Sequence, residues 1–97
     1  MPTRTNTYRL TLTPHSLASG EVATRPPLEL EIRHHDELFT IIDRLSAKKL
    51  FATPQQAAEF GLGLKLFSEV LLAQKEQAIF QRFIPAFSAF VRKLKQT

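Results

Sequence analysis

The sequence predicts an α+β fold: an N-terminal antiparallel β-hairpin followed by about three helices, with a long central helix packed on the hairpin. Three observations predict it. Two short segments near the start alternate apolar and polar residues at the strand period of two. Residues 53–75 combine a helix start signal with a broad apolar surface. The last quarter repeats phenylalanine and aliphatic residues at three- and four-residue intervals. The expected organisation is a single domain over residues 1–97, with a hairpin over 5–33, a first helix over 36–49, the central helix over 53–75 and a C-terminal helical segment over 79–95.

In the first strand Tyr8, Leu10 and Leu12 point one way and Arg9, Thr11 and Thr13 the other, until Pro14 ends it. Leu28, Leu30 and Ile32 alternate in the same fashion with Glu29, Glu31 and Arg33, directly after Pro26-Pro27. Antiparallel pairing brings Arg9 near Glu29 or Glu31, an attraction worth about 0.2–1 kcal/mol that helps register more than stability. The intervening PHSLASGEVATRPP is too long for a tight turn and reads as a mobile surface loop, with a strand beginning near Val22 as the alternative. Two strands alone leave two edges, which covering helices or a second subunit would have to protect.

Asp36 is an expected N-cap for the first helix, with Glu37 in its first turn, Leu38, Ile41, Ile42 and Leu45 at helical spacing, and Lys48 and Lys49 near its end. Leu50 or Phe51 is expected to tuck beneath the joint to the next helix. That helix starts at Thr53, a preferred N-cap, with Pro54 at N1 and Gln56 placed to reach back to the Thr53 backbone as in a capping box. Phe60, Leu64, Phe67 and Leu71 fall on one stripe and form the expected core, widened by Leu62, Leu66 and Val70. Only a narrow face with Lys65, Ser68 and Glu69 reads as solvated, so other elements or a second copy should cover two sides. Gly61 and Gly63 are unfavourable in an exposed helix by about 1 kcal/mol each, which makes close packing the expected reason for both. No strand precedes them and no third glycine follows, so they are not a phosphate loop. Pro85 sets the expected start of the last helix, with Ile79–Ile84 a turn or a short distorted helix.

Of the side chains, 43% are hydrophobic and 23% charged, as in an ordinary globular domain. Cysteine is absent, which excludes disulfides, thiolate nucleophiles and cysteine-ligated metal. MPTRTNTYRL lacks an apolar signal core, and no apolar run approaches the ~20 residues that span a bilayer, so a cytoplasmic home is expected, with no membrane partner. The net charge of +4 is mildly basic.

His34, His35, Asp36 and Glu37 are the densest group of potential ligands, with His15 in the loop. Adjacent residues diverge, however, and a metal needs side chains that converge, so a cap and solvated turn is the expected role. Ser46, Ser68 and Ser88 lie in no nucleophile elbow. The carboxylates Asp36, Glu37, Asp43, Glu59 and Glu69 show no acid–base spacing, and Lys65 and Glu69 suit an i, i+4 pair. No catalytic, cofactor-binding or metal-binding residue is expected, and the protein is read as no enzyme. Arg82, Arg92, Lys93 and Lys95 could join Lys48 and Lys49 in a basic patch if the last helix folds beside the end of the first.

The succession YRLTLTP, LELEI followed by HHDELFTIIDRL, FGLGLKLFSEVLL and a phenylalanine-rich tail ending RKLK resembles a family of small bacterial proteins, domain of unknown function 3861. GLKLFSEV and HHDEL are its most distinctive parts. The resemblance spans nearly the whole chain and implies a compact α+β fold of a hairpin and helices. It implies no activity and carries over no functional residues. The expectation is therefore a non-catalytic protein-interaction or self-associating module, a homodimer. The alternative is a nucleic-acid-binding accessory protein that uses the basic patch.

Overall fold

The computed structural model describes residues 4–97. The first three residues of the opening MPTRTNTYRL lie outside them. Two strands, β1 (Asn6–Leu12) and β2 (Leu28–His34), are followed by four helices, α1 (Leu38–Ala47), α2 (Pro54–Ala73), α3 (Ala78–Gln81) and α4 (Ile84–Gln96). The chain divides into two units, one ending at Glu37 and one running Leu38–Thr97.

In the first unit β1 and β2 pair antiparallel with Tyr8 opposite Ile32, Leu10 opposite Leu30 and Arg9 opposite Glu31. The period-two alternation thus puts the apolar side chains of both strands on one face and the Arg9–Glu31 pair on the other. Asn6 fastens the open end: its Nδ2 donates to the backbone oxygens of His34 and His35, each at 3.3 Å. Toward the loop the apolar face becomes wet, and Leu12 is 69% exposed. The connection forms no strand at Val22. Instead Gly20 closes a turn onto the Leu17 carbonyl at 3.0 Å with φ of +83°, a conformation that suits glycine.

In the second unit α1 lies along α2. Leu38 and Leu45 of α1 are buried, as are Ala57, Gly61 and Leu71 of α2. The reason for this seam is steric. A Cβ on Gly61 would stand 3.0 Å from Leu45 Cδ1 and 3.3 Å from Ile42 Cγ1, so a bare backbone lets α1 come close. Gly63 is different: nothing lies within 4 Å of the position its Cβ would take, so the close-packing expectation holds for one glycine and fails for the other.

The α2 start follows the capping pattern with one change. Thr53 Oγ1 accepts from the Gln56 N–H at 3.1 Å, while Gln56 Oε1 accepts from the Ala52 N–H at 3.0 Å, one residue ahead of the expected Thr53. Phe51, not the exposed Leu50, closes the joint, its ring 5.0 Å from that of Phe60. Two residues past the end of α1, Lys49 has φ +58°, the left-handed conformation that a glycine usually adopts after a helix.

α2 runs unbroken through both glycines, but its rotation departs from expectation. The buried positions are Ala57, Gly61 and Leu71, with Leu64 and Ser68 half-buried on the same stripe, and Lys65 and Glu69 are half-buried, not solvated. The exposed side carries Gly63, Phe67 and Val70. Phe67, expected in the core, is 46% exposed. At Gly61 the bare backbone lets α1 come close, while Phe60 and Phe67 turn toward the tail, where their rings meet Phe90, Phe83 and Phe87.

In that tail α3 is one turn, and Pro85 sits in the first turn of α4, which begins one residue earlier than expected, at Ile84. Proline has no N–H for the Gln81 carbonyl, which separates the two helices. Among the described residues no helix is long and apolar enough to cross a membrane.

Candidate functional site

The turn from His34 to Glu37 gathers the polar groups the sequence singles out, and its hydrogen bonds give them local work. His34 is only 2% exposed, and its Nδ1 accepts the Asp36 backbone N–H at 3.0 Å. That bond occupies the Nδ1 lone pair, the atom a metal would need on that side of the ring. The His34 and His35 rings stack at 4.8 Å with an interplanar angle of 18°, and His35 Nε2 stands 3.6 Å from Asp36 Oδ1. The Tyr8 hydroxyl donates to Glu37 Oε2 at 2.7 Å, which anchors β1 to the end of the turn. These contacts describe a hydrogen-bonded connector that fixes how the chain leaves β2.

The remaining candidates are dispersed. Ser68 Oγ donates to the Lys65 carbonyl one turn back at 3.0 Å, a common helix-interior role for serine. Glu59 Oε1 accepts from Gln55 Nε2 at 3.1 Å on the exposed side of α2. Neither is placed as a nucleophile or an acid–base partner.

The basic residues are partly brought together. α4 ends beside the end of α1, where Lys48 Nζ donates to the Thr97 carbonyl at 2.9 Å. Lys48 and Lys95 then line one groove of about 470 Å³ between α1, α2 and α4, with Arg44 and Lys65 on the same rim. Lys49 lies apart, in a separate cleft with Phe51 and Pro54. Arg44 and Lys65 are members of this cluster beyond the basic residues expected from the sequence. The i, i+4 spacing of Arg44 and Lys48 was a signal for the first, whereas Lys65 joins only through the packing of α2 on α1.

The aromatic rings follow the other side of α2. Phe67 meets Phe83 at 6.0 Å and Phe87 at 5.7 Å, both edge-to-face, and Phe60 meets Phe90 at 6.3 Å. This layer is incompletely covered: Phe83 is 44% and Phe90 47% exposed, and one turn beyond Phe67 on α2 Val70 is 59% exposed.

A family model described as a domain of unknown function with solved structure (DUF3861) matches residues 6–96. A crystal structure of a protein of unknown function from Pectobacterium atrosepticum is similar, with 31% sequence identity, a TM-score of 0.81, and coverage of 97% of this chain and 100% of that one. No functionally curated protein matches the sequence.

Proposed function

Because the chain belongs to the DUF3861 family, whose description assigns no activity, its surface must carry the functional reading, and we propose a non-catalytic interaction module that associates with a second copy of itself. The single supporting observation is the open side of α2, where Gly63, Phe67 and Val70 align beside the half-exposed Phe83. Burying a Phe or Val side chain contributes about 1.5–3 kcal/mol, so apolar burial would stabilise a two-fold pairing of these faces at its centre. The empty space at Gly63 suits close approach of a partner helix, and it gives a reason for a residue that otherwise weakens α2 by about 1 kcal/mol.

Light scattering over a series of concentrations tests this reading. The expected result is a mass that rises from monomer to dimer, with Val70→Glu a folded monomer throughout. A wild-type mass that stays monomeric into the millimolar range would remove the proposal. The nucleic-acid reading has weaker support: the groove carries cations, but its lining contains no aromatic side chain on which a base could stack.

A further inference from the structure

We propose that the groove between α1, α2 and α4 binds an amphipathic anion, specifically a single aliphatic chain with a carboxylate head, taken up as a monomer and not as part of a bilayer. The volume, about 470 Å³, lies within the roughly 300–1,000 Å³ typical of small-molecule sites. Its floor is aliphatic, built from Leu45 and Leu64 on one wall and Val91 and Leu94 on the other. Its rim is cationic, with Arg44 from α1, Lys48 just past the end of α1 and Lys95 from α4, and no Asp or Glu side chain is among the residues that line it.

This distribution selects one ligand chemistry. A hydrocarbon tail on the floor gains about fourfold in affinity for each buried methylene. A carboxylate head meets the planar fork of Arg44 and the ammonium groups of Lys48 and Lys95, which form charge-assisted hydrogen bonds with it. Lys48 already donates to the Thr97 carbonyl at 2.9 Å, which holds it at the groove, and an ammonium has three donors. A cationic amphiphile of the same length would meet like charge at the rim. A partner helix would need a row of anchor pockets one turn apart, more than a groove of this size provides.

The groove and the proposed self-association face are distinct surfaces. At 100° per residue Lys65 and Val70 point about 140° apart around α2, so each can fail without the other.

The test is a titration with sodium decanoate below its micellar concentration, followed by calorimetry and amide chemical shifts, with decanol, decyltrimethylammonium and anionic phospholipid vesicles in parallel. Decanoate is expected to bind, with shifts at Arg44–Lys48, Leu64 and Val91–Lys95. Octanoate, two methylenes shorter, should bind about fifteenfold more weakly. Arg44→Gln with Lys95→Gln, both at exposed positions, should weaken decanoate at least tenfold while leaving decanol unchanged. Equal binding of decyltrimethylammonium, shifts confined to Phe67 and Val70, binding to vesicles but not to monomeric decanoate, or no heat and no shifts at about 1 mM ligand would each overturn the proposal.

Discussion

Gly61 and Gly63 stand two residues apart on one helix and meet opposite surroundings. At Gly61 an added methyl must push Leu45 and Ile42 aside, at 3.0 and 3.3 Å, and overpacking of that kind costs about 1–3 kcal/mol. The gain in helix propensity, about 1 kcal/mol, offsets part of it, so Gly61→Ala should lower stability by roughly 0–2 kcal/mol. Gly63→Ala meets nothing and should raise the stability of the monomer by about 0.5–1 kcal/mol. Urea unfolding of both variants at low protein concentration checks the pair, and a Gly61→Ala protein more stable than Gly63→Ala would contradict the packing. Lys49 offers a third case. A lysine at φ +58° is strained by about 1–2 kcal/mol, and glycine at this helix end should recover about 0.5–1 kcal/mol of it in a thermal melt. None of these differences is legible from residue identity: both glycines look alike in the sequence, and only the position of α1 separates them.

At the scale of elements, the hairpin was legible because its signal has one period and its register follows from matched alternation, with Arg9 opposite Glu31 as one of the two expected pairings. The start of α2 was equally plain, since Thr53, Pro54 and Gln56 each act through local backbone geometry. Thr53→Ala should therefore cost about 1 kcal/mol, measured by urea unfolding. The rotation of α2 was not legible. Apolar residues occupy most of its circumference, so hydrophobicity barely distinguishes one side from another, and only the close approach of α1 at Gly61 marks the seam. Two adjacent truncations read out that rotation. Leu71→Ala, at a position 1% exposed, should cost about 2–5 kcal/mol, whereas Val70→Ala should cost under about 0.5 kcal/mol in the monomer. Equal losses at the two positions would mean that α2 is turned otherwise. The cationic groove was half legible for a related reason: Lys48 and Lys95 are anticipated from the ends of two helices, but Lys65 belongs to the cluster only once those helices share a neighbour.

For the whole molecule, the apolar content exceeds what one copy covers. Phe67, Val70 and Phe83 are each more than two-fifths exposed on the same side of the helical unit, and Leu12 is wet at the loop end of the hairpin. A stable protein–protein interface needs about 800 Å² from each partner, centred on well-packed aromatic or aliphatic anchors, and in the proposed dimer Phe67 and Phe83 would be those anchors. In the proposed dimer, pairing through α2 would bury that layer and leave the groove beside α1 open. The most direct measurement is an isotope-filtered NOE experiment on an equimolar mixture of labelled and unlabelled protein. Intermolecular contacts are expected between the Phe67 ring and the Val70 methyl groups, lost in Val70→Glu. Intermolecular contacts confined to Leu12 and Leu28 of the hairpin, or none at millimolar protein, would contradict the proposed dimer.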